Sequence, residues 1–149
     1  MNPFDIASTK ALNSLLQRHP AVDPCTQVER FVLKYIFFEA VLRIVLTAYS
    51  SRSGGTQSQR DKTDNSIRKN VVANCFAHFN INFSTDSIDQ LLDTRKVRRG
   101  AKSARKLRDA LVHYWSREDA SEVEARALEL LPLIESATAA MAACVIAHP

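Results

Sequence analysis

The sequence predicts an all-α protein, an antiparallel four- to five-helix bundle that forms one domain over residues 1–149. The chain contains only three glycines and five prolines, which disfavours the frequent tight turns of a β protein. Good helix-forming residues fill the long stretches between them. A hydrophobic content of 46% in a chain of this length can build a buried core without metals or disulfides.

Two amphipathic or apolar helices are predicted in the first third of the chain. Residues 4–17 show helical apolar spacing that ends before Pro20. Residues 26–50 are apolar almost all round, so that a helix there needs cover on most sides. Because five helices of this size could hardly provide that cover, we expect a second copy of the chain to bury the remaining face. The sequence thereby predicts a homodimer.

The helix predicted at residues 26–50 is also long enough to cross a bilayer. Lys34, Glu39 and Arg43 lie in its middle, and each would cost on the order of 2.5 to 3.5 kcal/mol at the bilayer centre. The first residues of the chain lack the pattern of a signal peptide. We therefore expect a cytoplasmic protein without a membrane span. Glu39 and Arg43 are four residues apart and are candidates to pair or to reach a functional cleft.

The second half of the chain is predicted to be helical after a loop. Residues 51–65 are polar and contain two of the three glycines, which indicates a flexible loop. Ser84 or Thr85 is the expected cap of a short helix, and Pro132 is expected to kink the last one. The helices are predicted, from their apolar spacing, at about residues 65–79, 85–93, 101–115 and 119–146.

The three cysteines give no sign of a metal site. Cys25, Cys75 and Cys144 are an odd number and widely separated, with no CxxC pair and no neighbouring histidine that suggests a metal ligand. We expect reduced thiols in the core, and neither a metal nor another cofactor.

Basic residues are concentrated in one segment. Residues 95–108 carry eight basic side chains and no acidic one, whereas residues 109–149 carry two basic and seven acidic side chains. A positive patch favours a polyanion such as RNA, because each neutralised phosphate releases counterions. The alternative is a solvated helix face without a ligand. If RNA binds, its backbone is expected to contact five residues of this segment: Arg98, Arg99, Lys102, Arg105 and Lys106.

The helix predicted at residues 101–115 carries the chemically reactive side chains. His113 falls on its polar face, opposite Leu111. Asp109 lies four residues earlier, where its carboxylate could orient or charge the imidazole. Arg108 points elsewhere, so its meeting with His113 requires a distorted helix end or a partner chain. Tyr114 falls on the core face with Leu111.

A cleft that contains an imidazole and a guanidinium has what metal-free cleavage of RNA requires. The imidazole moves protons to or from the ribose 2′-hydroxyl and the leaving oxygen, and the guanidinium holds the pentavalent phosphate. DNA lacks the 2′-hydroxyl and would not be cleaved by this route.

Residues 108–113, RDALVH, resemble the R-x4-6-H motif of the HEPN superfamily, including the polar residue that commonly follows its arginine. The apolar second helix, the upstream basic run and the downstream aromatic pair fit the same superfamily. The resemblance implies a dimeric bundle with both motifs at the interface, acting as a metal-independent endoribonuclease in toxin–antitoxin or phage-defence systems. It also implies that Arg108 and His113 are the catalytic pair and that Asp109 tunes them.

The sequence departs from one pattern of that superfamily. Some members carry R-x4-H-x-Y, whereas here Trp115 stands at the position of the tyrosine and Tyr114 directly follows His113. A role that depends on that tyrosine, such as its modification by a partner nucleotidyltransferase, is therefore not carried over.

Two other classes of function remain open. The first is a catalytically silent domain of the same fold that binds nucleotide or RNA, or scaffolds a partner protein. It would not require His113 for turnover. The second is a dimeric interaction protein whose basic segment binds an acidic antitoxin, in which case RNA would not compete with the partner.

Overall fold

The computed structural model describes residues 9–10, 12–13, 26–52, 67–93 and 101–147. Within these ranges the chain forms helices and no strand, which confirms the all-α class. Five helices have both ends in these ranges: α1 (Gln27–Arg52), α2 (Lys69–His78), α3 (Thr85–Leu92), α4 (Ala104–Tyr114) and α5 (Arg117–Ile146).

Two predicted elements fall largely outside the described residues. In the helix predicted at 4–17, the four described residues have helical backbone, and Leu12 among them is buried. In the loop predicted at 51–65, Ser51 and Arg52 instead continue α1. Polar residues are tolerated in a last helical turn, because that turn is exposed to solvent and frays. The other residues of both predicted elements lie outside the described ranges.

The core lies mainly between α1 and α5, which make the most extensive contact in the fold. Large side chains of both helices are fully buried, and each contributes roughly 1.5–3 kcal/mol relative to exposure. They include Phe31, Tyr35, Phe38, Leu130, Ile134 and Met141.

The carboxyl ends of α1, α2 and α5 meet at one end of the fold. The Tyr49 ring lies 6.5 Å from the Phe79 ring, which follows α2, and Cys144 Sγ lies 4.0 Å from the carbonyl oxygen of Phe79. Further from that end, Lys34 Nζ pairs with Glu135 Oε1 at 2.9 Å. α1 and α5 therefore run in the same direction. The two helices are not consecutive, so no short connection requires them to be antiparallel.

Neighbouring helices along the chain do run antiparallel, as predicted, for α2 with α3 and for α4 with α5. Lys69 at the start of α2 pairs with Asp89 near the end of α3 at 3.1 Å. Two residues join α4 to α5, and Arg126 Nη1 donates to the carbonyl oxygen of Lys102 at 2.7 Å. These contacts hold α4 against the rest of the fold.

Serine caps fix the starts of three helices. The side chains of Ser84, Ser103 and Ser116 each accept a hydrogen bond from a backbone N–H three residues further on, and Ser84 is one of the two caps expected there. α4 therefore starts after the predicted residue 101, and α5 starts before the predicted residue 119. α2 starts at Lys69 and not near residue 65, since Arg68 has extended backbone.

α5 is the helix in the described ranges that is long and apolar enough to cross a membrane, with a mean hydropathy of 1.5 over its most apolar window. Of that window, 44% is buried inside the protein. A core helix of a soluble protein has the same character, so this is weak evidence for a span. α5 continues through Pro132, and the kink expected there stays a prediction.

Candidate functional site

α4 packs one face against the core and leaves the other accessible. Ala104, Leu107 and Leu111 are buried, as their spacing predicts. The hydroxyl of the cap Ser103 also donates to the carbonyl oxygen of Asp93 at 2.5 Å, which ties the start of α4 to the end of α3. The rotation of α4 about its axis is therefore fixed, and with it the direction of each remaining side chain.

The guanidinium of Arg108 lies between α4 and α1, with the side chain only 20% exposed. Its Nη2 pairs with Glu39 Oε1 at 2.5 Å and with Asp109 Oδ1 at 3.2 Å. Its Cζ lies 5.4 Å from the centroid of the Tyr35 ring, a cation–π contact. Three side chains hold this guanidinium, and two of them come from α1.

Both carboxylates use the same nitrogen of Arg108. Its Nε is buried and has no hydrogen-bond partner. Its Nη1 is not buried, and it makes no hydrogen bond within the part of the chain that the structure describes. Because a guanidinium carries five N–H donors, Arg108 is held in place and still has donors for an incoming acceptor.

Tyr35 supports the site from beneath. Its hydroxyl donates to the carbonyl oxygen of Leu91 at 2.9 Å, which joins α1 to the end of α3. Burial, and then the negative charge of Glu39, raise the pKa of Tyr35 well above its ordinary range. The phenol therefore stays protonated and acts as a structural donor and a ring surface.

His113 lies on the exposed side of α4, opposite Leu111, as predicted. Its ring is 6.2 Å from the ring of Tyr114. The carboxylate of Asp109 pairs with Arg108, and no contact joins it to His113 among the described residues. Five positions separate Arg108 from His113, so their side chains point about 140° apart on a regular helix. One chain does not bring the two residues together.

The prediction that Tyr114 lies on the core face is wrong, since the side chain is 82% exposed. α4 ends at Tyr114, and Trp115 adopts the left-handed conformation with φ 45° and ψ 48°. The chain therefore turns away just beyond Leu111, the last core contact of α4. Tyr114, Trp115 and Val112 leave exposed apolar surface on either side of His113.

Two residues that were expected to bind RNA make contacts inside the fold. Lys102 Nζ pairs with Asp119 Oδ1 at 2.6 Å, which raises the pKa of Lys102 and lowers that of Asp119. Arg105 Nη1 donates to the carbonyl oxygen of Ile67 at 2.6 Å. Both side chains add positive charge to this surface. The nitrogen atoms named here, however, bind other parts of the same chain and so stabilise the fold.

The other basic residues differ in what the structure describes. Arg98 and Arg99 lie outside the described ranges. The ammonium group of Lys106 makes no ion pair with any residue in the described parts of the chain. Seven positions, about two helical turns, separate Lys106 from His113, so both lie on the same face of α4.

Glu39 is the site residue whose partner the sequence did not identify. The sequence left open whether Glu39 pairs with Arg43 or reaches the cleft. In the structure, its carboxylate binds Arg108. The sequence did contain a signal for this pair, namely a carboxylate in a nearly apolar helix. A buried charge requires an opposite charge from another element.

The thiols and acidic residues do not form a metal centre within the described ranges. There, no group of three or more His, Cys, Asp or Glu side chains could hold a metal ion. Neither Cys75 nor Cys144 forms a disulfide with a described residue, and Cys25 lies outside those ranges. Burial raises the pKa of Cys75 to about 12, so its thiol stays protonated and is a poor nucleophile at neutral pH.

Comparison with known proteins finds no relative of this chain. No protein-family model matches it, no curated protein is similar, and no solved structure matches. The function of the site is therefore inferred from its own residues.

Proposed function

We propose that this protein is a metal-independent endoribonuclease of the HEPN type, a HEPN-like dimer that cleaves RNA with Arg108 and His113. The observation that carries the proposal is the state of Arg108. Glu39 and Asp109 fix one nitrogen of its guanidinium while the Nη1 donors stay without a partner in the described residues. Such donors suit the oxygens of a pentavalent phosphate, which carries more negative charge than the ground state.

His113 supplies the proton transfers in this proposal. One imidazole removes the proton of the ribose 2′-hydroxyl, and the oxygen forms a bond to the adjacent phosphorus. The bond from phosphorus to the 5′-oxygen breaks, and that oxygen takes a proton from a second acid, the imidazolium of the other copy. The products are a 2′,3′-cyclic phosphate and a 5′-hydroxyl end.

A dimer explains why the two catalytic residues lie apart in one chain. A two-fold axis would place Arg108 of one copy beside His113 of the other. Exposed apolar residues support an interface close to the site. Leu33 and Ile36 on α1 are 36% and 47% exposed, and Val112 lies one turn after Arg108 on α4.

The charge of the segment supports RNA as the ligand. Residues 95–108 carry eight basic side chains without an acidic one, and Lys106 shares the face of His113. A toxin or defence role, with an antitoxin as a possible protein partner, follows only from the resemblance to the HEPN superfamily.

The test is cleavage of a mixed RNA in EDTA by the wild type, Arg108→Ala and His113→Ala. His78→Ala, which removes another exposed histidine, is the matched control. We expect activity in the wild type and control, and its loss in both site variants with an unchanged oligomeric state. Intact RNA with the wild type, or equal cleavage by all four proteins, would sink the nuclease proposal.

A non-catalytic RNA- or nucleotide-binding protein is the second candidate. It is favoured by the position of Asp109, whose carboxylate pairs with Arg108 and leaves His113 without that orienting group. In this case the wild type binds RNA without cleaving it. Arg108→Ala then weakens binding, and His113→Ala has little effect.

A further inference from the structure

We propose that Glu39 is a positioning residue, which orients the Arg108 guanidinium so that Nη1 faces the phosphodiester of RNA. The inference deepens the proposed function and rests on it for the identity of the ligand. The orientation itself is a property of the free protein, so it can be tested without cleavage.

Glu39 is the carboxylate that compensates the largely buried charge of Arg108. The Glu39 side chain is 13% exposed and that of Arg108 20% exposed, so both charges lose most of their hydration. Apolar residues in place of both charges are frequently as stable as such a pair, whereas an apolar residue in place of Glu39 alone leaves the Arg108 charge largely buried without its main partner. Glu39 therefore compensates the charge of Arg108 as well as orienting it, and an apolar residue at position 39 does neither.

The contacts of Arg108 determine its orientation in two steps. The Tyr35 ring, with its centroid 5.4 Å from Cζ, restricts the plane of the guanidinium. The bond from Glu39 to Nη2 then restricts rotation within that plane. With the plane and one nitrogen fixed, the direction of Nη1 follows.

Asp109 is the weaker of the two carboxylates. Its side chain is 49% exposed, and its oxygen lies 3.2 Å from Nη2, compared with 2.5 Å for Glu39. Exposed ion pairs contribute little, because water screens them and their side chains move. Glu39 comes from a different helix, so it also fixes Arg108 relative to α1.

Loss of the Glu39 charge and loss of the orientation of Arg108 should affect RNA binding and turnover differently. Glu39→Gln keeps an oxygen acceptor and removes a negative charge near the phosphate, so RNA binds as tightly or more tightly and kcat stays within about threefold. Glu39→Leu removes the acceptor and keeps an apolar side chain of similar size. Because the guanidinium then keeps only the Tyr35 ring and the exposed carboxylate of Asp109 as partners, kcat falls about tenfold or more while KM changes less than about threefold.

The control is Glu135→Gln, which removes the carboxylate that pairs with Lys34 on another face of α1. It should leave kcat and KM unchanged. If Glu39→Leu cleaves RNA as fast as the control while Arg108→Ala is inactive, Glu39 does not position Arg108.

Two readouts do not depend on cleavage. The first is the Nε–Hε signal of Arg108 in ¹⁵N NMR spectra. Since Nε is buried, the signal should be protected from solvent exchange in the wild type and in Glu39→Gln, and lost in Glu39→Leu. Equal protection in Glu39→Leu would overturn the proposal even if no RNA is ever cut.

The second readout is a double-mutant cycle on the binding of a labelled RNA. The substitution Arg108→Ala should weaken RNA binding by a larger factor in the wild-type background than in the Glu39→Leu background. The reason is that an arginine that is no longer oriented contributes less to binding. Equal factors would contradict the proposal. Protected Nε–Hε and a coupled cycle without RNA cleavage would instead leave Glu39 as a positioning residue of a binding protein.

Discussion

The guanidinium of Arg108 lies over the ring of Tyr35, whose hydroxyl donates to the carbonyl oxygen of Leu91. One side chain thus supports the candidate catalytic arginine with its ring and the packing of α1 on α3 with its hydroxyl. The two contributions can be separated, because phenylalanine keeps the ring and leucine keeps neither.

Tyr35→Phe should lower the free energy of unfolding by about 1 kcal/mol, since a buried hydrogen bond is lost, and leave RNA binding unchanged. Tyr35→Leu should lower stability further and also weaken RNA binding, because the cation–π contact is lost. Urea denaturation and binding of a labelled RNA measure both effects. Phe31→Leu, on the same helix, is the control for loss of a buried ring, and an equal loss of binding there would contradict a specific role of Tyr35.

Ile36→Glu should convert the proposed dimer to a monomer and abolish cleavage, because a charge at a buried apolar interface loses its hydration. Light scattering and the EDTA cleavage assay measure the two outcomes. Thr47→Glu, at an exposed position of the same helix, should change neither. A dimeric, active Ile36→Glu variant would mean that the copies meet through another surface, or that one copy is sufficient.

At position 115, a glycine variant should be more stable than an alanine variant, which is the reverse of the usual order in a helix. The left-handed backbone of Trp115 costs a residue with a Cβ about 1 kcal/mol or more relative to glycine. Trp115→Gly should therefore be more stable than Trp115→Ala by about that amount. At Tyr114, the last residue of α4, alanine should instead be more stable than glycine, by up to about 1 kcal/mol. Thermal unfolding of the four variants measures both differences, and the same order at both positions would contradict the left-handed turn.

The Lys102–Asp119 pair should make stability depend on pH at the acidic end. Hydrogen bonds from Lys102 and Ser116 hold the pKa of Asp119 below its ordinary value of 3.8 in the folded protein. A carboxyl with a depressed folded pKa contributes stability above its unfolded pKa, and that contribution is lost as the pH falls through the folded value. The free energy of unfolding should therefore decline below about pH 4, and decline less in Asp119→Asn.

The raised pKa of Lys102 makes stability depend on pH at the basic end instead. Its contribution is complete below the ordinary value of 10.5 and is lost as the pH rises above it. Chemical denaturation from pH 3 to 7 tests the acidic arm, with Glu118→Gln as an exposed control. A wild type and an Asp119→Asn variant with the same slope would show that this pair does not contribute to the pH dependence.

The helical class and the buried face of α4 could be predicted because apolar spacing reports which side of a helix meets the core. Leu107 and Leu111 follow that rule and are buried. Tyr114 follows the same spacing and is exposed, because α4 ends there and spacing does not show where a helix turns away. Helix starts depend on single hydrogen bonds at Ser103 and Ser116, which apolar patterns do not contain.

The candidate site could be predicted only within one helix. Arg108, Asp109 and His113 lie close in sequence, so helical geometry gave their relative directions. Glu39 is 69 positions from Arg108, and the two meet only because α1 and α4 pack together. The direction of α1 relative to α5 is equally a result of packing between distant segments, and no local pattern reports it.

The left-handed turn at Trp115 also has an evolutionary consequence. Glycine is the residue that this backbone accepts most readily, so descendants that need only the turn should drift toward glycine at this position. Lineages that keep a large aromatic ring there, against that drift, would be those in which selection acts on the exposed ring itself. A comparison of such sequences at position 115 would therefore show in which lineages the exposed end of α4 gained or lost a binding partner.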